Sequence, residues 1–230
     1  MQNIAEVKLW GKLVGALVYQ TSSQTCIFEY APAWIKGGVE IAPVRMPLAL
    51  TKYQFSNLNS DTYRGLPAVF ADALPDDFGN AVINAWLAKQ GRDSESFTAL
   101  ERLLYTGQRS MGALEFAPAL RRGATSNEKL ELNSLVAMAQ SVLDKRTQVS
   151  SSMTEGHAMD ALFQVGTSAG GARAKALIAI NQDRTQIRSG QADAPTGFEH
   201  YLLKFDGVEE SRVTNQVFGD PQGYGRMEYA

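Results

Sequence analysis

Apolar and polar residues alternate with a period of two from Ala5 to Tyr19, with Val7 and Leu9 on one side of Gly11-Lys12 and Leu13, Leu17 and Tyr19 on the other. That period predicts two short strands joined by a tight turn. Thr25 to Tyr30 reads as a third strand. Pro43, Pro47, Pro67 and Pro75, with neighbouring glycines and aspartates, cut the next stretch into turns and short pieces. The period then changes: Phe78, Ala81, Val82, Ala85, Trp86 and Leu87 recur at helical spacing between Asp77 and Gln90, and Gly91 supplies a stop. Asp76-Asp77 reads as the N-cap and first-turn charge of this helix rather than as a metal pair. Phe97 to Tyr105 repeats the helical signal with Leu100, Leu103 and Leu104 before Gly107, and Gly112 to Phe116 returns to a strand that Pro118 closes.

Arg121 to Lys129 is polar and contains Gly123, Ser126 and Asn127, which makes it the best candidate boundary. Beyond it, Leu132, Leu135, Val136, Ala139 and Leu143 form one helical face, with Asn133 or Ser134 as the expected N-cap. Gln148 to Thr154 is a Ser/Thr-rich connector, and Ala158, Leu162 and Phe163 lead into a glycine-rich segment. Ala176 to Ile180, Gln186 to Arg188 and Phe198 to Phe205 read as strands, and Asp206-Gly207 with Glu209-Glu210 as a solvated loop. The fold class expected is α+β, with a β-rich subdomain over residues 1–120, a linker over 121–130, and a sheet preceded by one helix over 131–230.

A hydrophobic fraction of 44% against 20% charged residues is enough for a sizeable core and matches a globular protein. The net charge of −2 leaves no basic excess to drive binding to a phosphate backbone, so no direct nucleic-acid partner is expected. Trp10, Trp34 and Trp86 have no basic residues interleaved with them and read as core or interface side chains, not stacking platforms. Cys26 is the single cysteine, so no internal disulfide can form, and His157 and His200 lie far apart with no cysteine nearby, which excludes a zinc framework. Neither a signal-like leader nor an apolar run of about 18 residues is present. The expected location is cytoplasmic, with no membrane anchor.

The chemistry concentrates in Gly166-Thr167-Ser168-Ala169-Gly170-Gly171-Ala172-Arg173-Ala174-Lys175. Small residues let backbone N–H groups approach a polyphosphate, and a lysine entering the following strand adds a compact positive charge. A tight turn between helix and strand would also use glycines, and the spacing fits neither a Rossmann fingerprint nor a P-loop. A second lysine, in Tyr201-Leu202-Leu203-Lys204-Phe205, shifts the balance. An ammonium in an apolar strand needs a carboxylate or a ligand phosphate, unless it is an outward-facing edge lysine. Glu228 in Met227-Glu228-Tyr229 is the carboxylate that could orient it.

Gly166 to Lys175, Ser189-Gly190, Pro195 to Phe198, Leu202 to Phe205 and Tyr224 to Ala230 resemble the HipA-like serine/threonine kinases, the toxins of HipA/HipB-type toxin–antitoxin systems. At the front of the chain, Met46-Pro47-Leu48, Gly65-Leu66-Pro67 with Phe70, Leu74-Pro75-Asp76 and Gly112-Ala113-Leu114-Glu115-Phe116 look like the N-terminal subdomain of that family. The similarity runs along nearly all 230 residues. It implies that residues 131–230 form a kinase-like N-lobe, in which Ala169, Gly170, Gly171, Ala172, Arg173, Ala174 and Lys175 bind ATP with Lys204. It also implies that Ser168 is autophosphorylated, with Thr167 adjacent as an alternative acceptor. A phosphate there would add about −1.5 to −2 charges beside the triphosphate and switch the kinase off. The plain alternative for Ser168 is a small turn residue.

Arg173-Ala174 stands where some members of the family carry Gln-Glu, so any role of that glutamate is missing. Phosphoryl transfer also needs a positioning aspartate and ligands for Mg2+, which the family places in a C-lobe beyond the equivalent of Ala230. The chain therefore reads as the N-terminal part of a longer kinase, inactive alone. The resemblance further implies a HipB-like antitoxin as partner and a translation protein, such as an aminoacyl-tRNA synthetase, as substrate. A different class of function stays open: a noncatalytic module that binds the antitoxin or a separate C-lobe.

Overall fold

A computed structural model describes residues 2–108, 110, 112–120, 132–143, 174–190, 194–205, 209–211, 217–219 and 223. Helix and strand are mixed, and the N-terminal part is built on a sheet. The chain divides into two compact units, residues 1–75 with 95–122, and residues 76–94 with 123–230.

The first unit begins with β1 (Ile4–Leu9), β2 (Lys12–Gln20) and β3 (Thr25–Tyr30). In β1 the predicted alternation is direct: Ala5, Val7 and Leu9 are buried while Ile4 and Glu6 face outward. The turn into β2 is centred on Trp10-Gly11, with φ of 51° and 72°, not on Gly11-Lys12. Two consecutive left-handed residues are what a two-residue hairpin with right-handed strand twist requires. The turn lifts Trp10 to 73% exposure, which removes the core reading of that side chain. Trp34 is buried and Trp86 half-buried.

Short pieces follow, as the prolines predict: α1 (Pro32–Ile35), β4 (Lys52–Tyr53), α2 (Ser60–Tyr63) and α3 (Ala68–Ala71). The chain then leaves this unit for α4 (Asp77–Lys89) and returns with α5 (Ala99–Thr106) and β5 (Leu114–Ala117). The strands make one antiparallel sheet in the order β4-β3-β2-β1-β5. Its buried face holds Phe28, whose ring centroid lies 4.8 Å from those of both Tyr30 and Phe70. The apolar side of α5, Leu100, Leu103 and Leu104, joins the same cluster. Thr98 and Glu101 start α5 with a reciprocal capping box, as the Ser/Thr-x-x-Glu spacing allows.

The second unit contains α4, α6 (Leu132–Leu143), β6 (Lys175–Asn181), β7 (Ile187–Ser189), β8 (Phe198–Lys204), β9 (Glu209–Ser211) and β10 (Val217–Gly219). Although α4 falls within residues 1–120 in sequence, its Phe78 and Val82 share a core with Leu135, Met138, Ala139 and Val142 of α6, Ala176 and Ile178 of β6, and Phe205. An apolar stripe goes where a complementary face exists, and here α6 and β6 provide it. β6 is the central strand of an antiparallel sheet in the order β7-β6-β8. After β7, Gly190 donates its N–H to Leu177 O at 3.0 Å, and a Cβ at this position would sit 2.8 Å from the Ile178 backbone N and O.

Two local expectations change. Helix α6 already includes Leu132, which puts Asn133 and Ser134 inside its first turn instead of at the cap. Glu209-Glu210 belongs to a strand, since β9 pairs with β10 from Glu209↔Gly219 to Ser211↔Val217, not to a loop. Backbone pairing there outweighs the polar composition that suggested a loop. The expected boundary at 121–129, the connector at 148–154, most of the glycine segment and the helix expected from Arg226 lie outside the described residues.

Candidate functional site

The glycine segment runs into β6 through Ala174 and Lys175, both buried. Across the ladder, β8 runs antiparallel, and its register sets Lys204 directly opposite Lys175. Opposed residues of an antiparallel pair share one face of the sheet with Cα atoms about 4.5–5.5 Å apart. The two lysines singled out in the sequence thus stand side by side at one end of the sheet, the end that the glycine segment enters. Phe205 N donates to Ala174 O at 3.0 Å, extending the pairing by one step past both lysines.

Their environments differ, and in the opposite sense to that expected. Lys204, expected to be buried and in need of a partner, is exposed, because β8 is an edge strand among the described residues. Lys175 lies on the central strand, and its side chain is only 5% exposed. Its Nζ donates to Asp76 Oδ2 at 2.9 Å, and the Asp76 side chain is equally buried. Desolvating an ammonium is costly unless a carboxylate meets it with good geometry, and this pair meets that condition. The demand of a buried ammonium for a partner therefore applies to Lys175, not to Lys204.

Asp76 is placed by α4. As its N-cap, it accepts the Gly79 N–H on Oδ1 at 2.8 Å, the role its position before the apolar stripe predicted. The sequence did not reveal its second role. The partner lysine is 99 positions away, and the available signal was general: a lysine on a covered strand needs a carboxylate. Phe78, two residues further, packs edge-on against Phe205 with ring centroids 6.2 Å apart. The first turn of α4 therefore grips both strands of the lysine pair.

Of the other site residues, Ser168, Ala169, Gly170, Gly171, Ala172, Arg173 and Glu228 lie outside the described residues. Among the described residues, no group of three or more His, Cys, Asp and Glu side chains is placed to hold a metal ion. In the same set, no helix is long and apolar enough to cross a membrane. Two lysines opposed across the ladder, one paired with a carboxylate and one exposed, carry the sign of charge that an anionic ligand such as a polyphosphate requires. They do not constitute a metal site.

The family model of the HipA N-terminal domain matches residues 5–117, a stretch that runs from Ala5 of β1 to Ala117 of β5 and also contains Asp76 and α4. No curated protein matches the chain.

Proposed function

The chain belongs to the HipA-like family through its N-terminal portion, and on that premise we propose that it is part of a HipA-like toxin whose residues 169–175 and Lys204 bind the phosphates of ATP. The observation that carries this reading is the register that opposes Lys175 and Lys204 at the sheet end entered by the glycine segment. Backbone N–H groups of Ala169 to Arg173 would face the phosphate oxygens, with the ammonium groups neutralising their charge. Bound Mg2+ would supply charge neutralisation at the transferring phosphoryl group, and its ligands would come from a C-lobe. Phosphorylation of Ser168 would place like charge against the triphosphate and block rebinding. A HipB-type antitoxin is the partner this reading carries, and a translation protein such as an aminoacyl-tRNA synthetase is its substrate class.

A noncatalytic role as a module for the antitoxin or for a separate C-lobe draws on a different observation. Tyr201 and Leu202 of the edge strand β8 are exposed apolar side chains. Nucleotide titration separates the two. ATP at about 100 times its dissociation constant raises unfolding free energy by about 2.7 kcal/mol for a one-site ligand. The kinase-lobe reading predicts an ATP-dependent rise in melting temperature that Lys204→Ala diminishes. A folded chain whose melting temperature ignores ATP would sink it.

A further inference from the structure

The Asp76 carboxylate divides its oxygens between two tasks. Oδ1 accepts the Gly79 amide of α4 at 2.8 Å, and Oδ2 accepts the Lys175 ammonium at 2.9 Å. We propose that Asp76 is a positioning residue for nucleotide binding: it fixes the side chain of Lys175, the residue opposed to Lys204 across the β6–β8 ladder, so that phosphates bind more tightly with Asp76 than without it. The proposal rests on the nucleotide reading above and adds to it a residue from the stretch matched by the HipA N-terminal domain.

The effect is one of preorganisation. A lysine side chain has four rotatable bonds, and ordering them when a phosphate arrives costs binding free energy. Here that ordering is already done, because the acceptor oxygen belongs to a carboxylate that the first turn of α4 holds by its other oxygen. The strand end is held too, by Phe205 against Phe78 and by the Phe205–Ala174 hydrogen bond. Lysine, helix start and strand end form one block. An ammonium carries three N–H donors, so a carboxylate on one of them is compatible with phosphate on another. The same arrangement, a strand lysine oriented by a helix carboxylate, serves phosphoryl transfer in protein kinases. An opposing force exists, since the carboxylate repels phosphate. The amide on Oδ1 and the positive end of the α4 dipole offset it. The sign of the Asp76 effect is therefore decisive.

The test uses the full chain and compares ATP with adenosine by titration calorimetry, in wild type, Asp76→Asn, Lys175→Met and the double variant. Asparagine is also a good N-cap, so Asp76→Asn removes the charge while keeping the start of α4. Asp76→Asn is expected to weaken ATP about tenfold, the size of losing one hydrogen bond to a charged group. Adenosine affinity should stay within about twofold, because the effect acts on phosphates. The double variant should bind ATP no more weakly than Lys175→Met alone, since Asp76 acts through that lysine. ATP affinity unchanged or increased in Asp76→Asn overturns the proposal, as does equal loss of ATP and adenosine, or multiplying losses in the double variant. Wild type that binds no ATP overturns the nucleotide reading and this proposal together; wild type that binds while Asp76→Asn matches it overturns this proposal alone. Should Lys175→Met fail to fold, the ATP-to-adenosine comparison in Asp76→Asn decides by itself.

Discussion

Replacing Lys175 by Met leaves the Asp76 carboxylate in place with its side chain 5% exposed and its ammonium partner gone. Breaking a buried pair by removing one member typically costs about 3–5 kcal/mol, because the charge left behind is neither solvated nor paired. The Gly79 amide on Oδ1 still satisfies one oxygen, which places the expected cost near the lower end of that range, about 3 kcal/mol. Removing both charges behaves differently. A neutral pair of similar volume is often no less stable than the ion pair it replaces, and Asn at position 76 retains the cap. The Asp76→Asn/Lys175→Met variant is therefore expected to be more stable than Lys175→Met by about 2 kcal/mol, because most of the cost of the unpaired buried carboxylate is removed with it. Urea unfolding followed by tryptophan fluorescence measures this, and Trp86, on α4, reports on the unit that carries the pair. If Lys175→Met lies within about 1 kcal/mol of wild type, or the double variant is less stable than Lys175→Met, the buried pair is not what holds this end of the sheet.

Gly190→Ala should destabilise the second unit by roughly 1–3 kcal/mol, because its Cβ would meet the Ile178 backbone at 2.8 Å and a strand must shift to admit it; urea unfolding of this variant measures the loss. Thr98→Ala, which removes one side of the α5 capping box, should cost about 1 kcal/mol in the first unit and lower its thermal transition. Burial pushes the Cys26 thiol up to about 12, so the native chain should resist a thiol-specific reagent near neutral pH and react only once unfolded. The sign for stability follows from the same shift. Above its ordinary value, the unfolded thiol releases its proton while the folded thiol keeps it, so this group's contribution is full below that pH and falls by up to about 1.4 kcal/mol per pH unit toward pH 12. Cys26→Ala should flatten that alkaline loss in a pH series of melting temperatures.

Local order was legible wherever period and punctuation agreed. β1 to β3 follow their alternation, α4 and α5 begin at Asp76 and Thr98 because these side chains cap them, and Gly91 and Gly107 follow their ends. What an apolar stripe packs against is a tertiary matter, and the allocation of α4 to the second unit could not be read from its spacing. The two lysines show the same limit at the site. Ala174-Lys175-Ala176 and Leu203-Lys204-Phe205 look alike as apolar neighbourhoods, yet one belongs to a central strand and the other to an edge. Strand order decides which ammonium is buried, and strand order is set by pairings far apart in sequence. The cap role of Asp76 is legible from its place before the apolar stripe, whereas its ion pair is not, because a carboxylate with one evident task gives no local sign of a second.

The central claim is that Lys175 and Lys204 flank the phosphates of bound ATP, and an ATP acyl-phosphate probe tests it most directly. Such a probe delivers its acyl group to whichever lysine amine lies beside the phosphates, and peptide mapping identifies the site. Labelling of the folded chain concentrated at Lys204 or Lys175 and abolished by excess ATP is the predicted result. Labelling spread over surface lysines such as Lys12 and Lys52, and indifferent to ATP, would contradict the account.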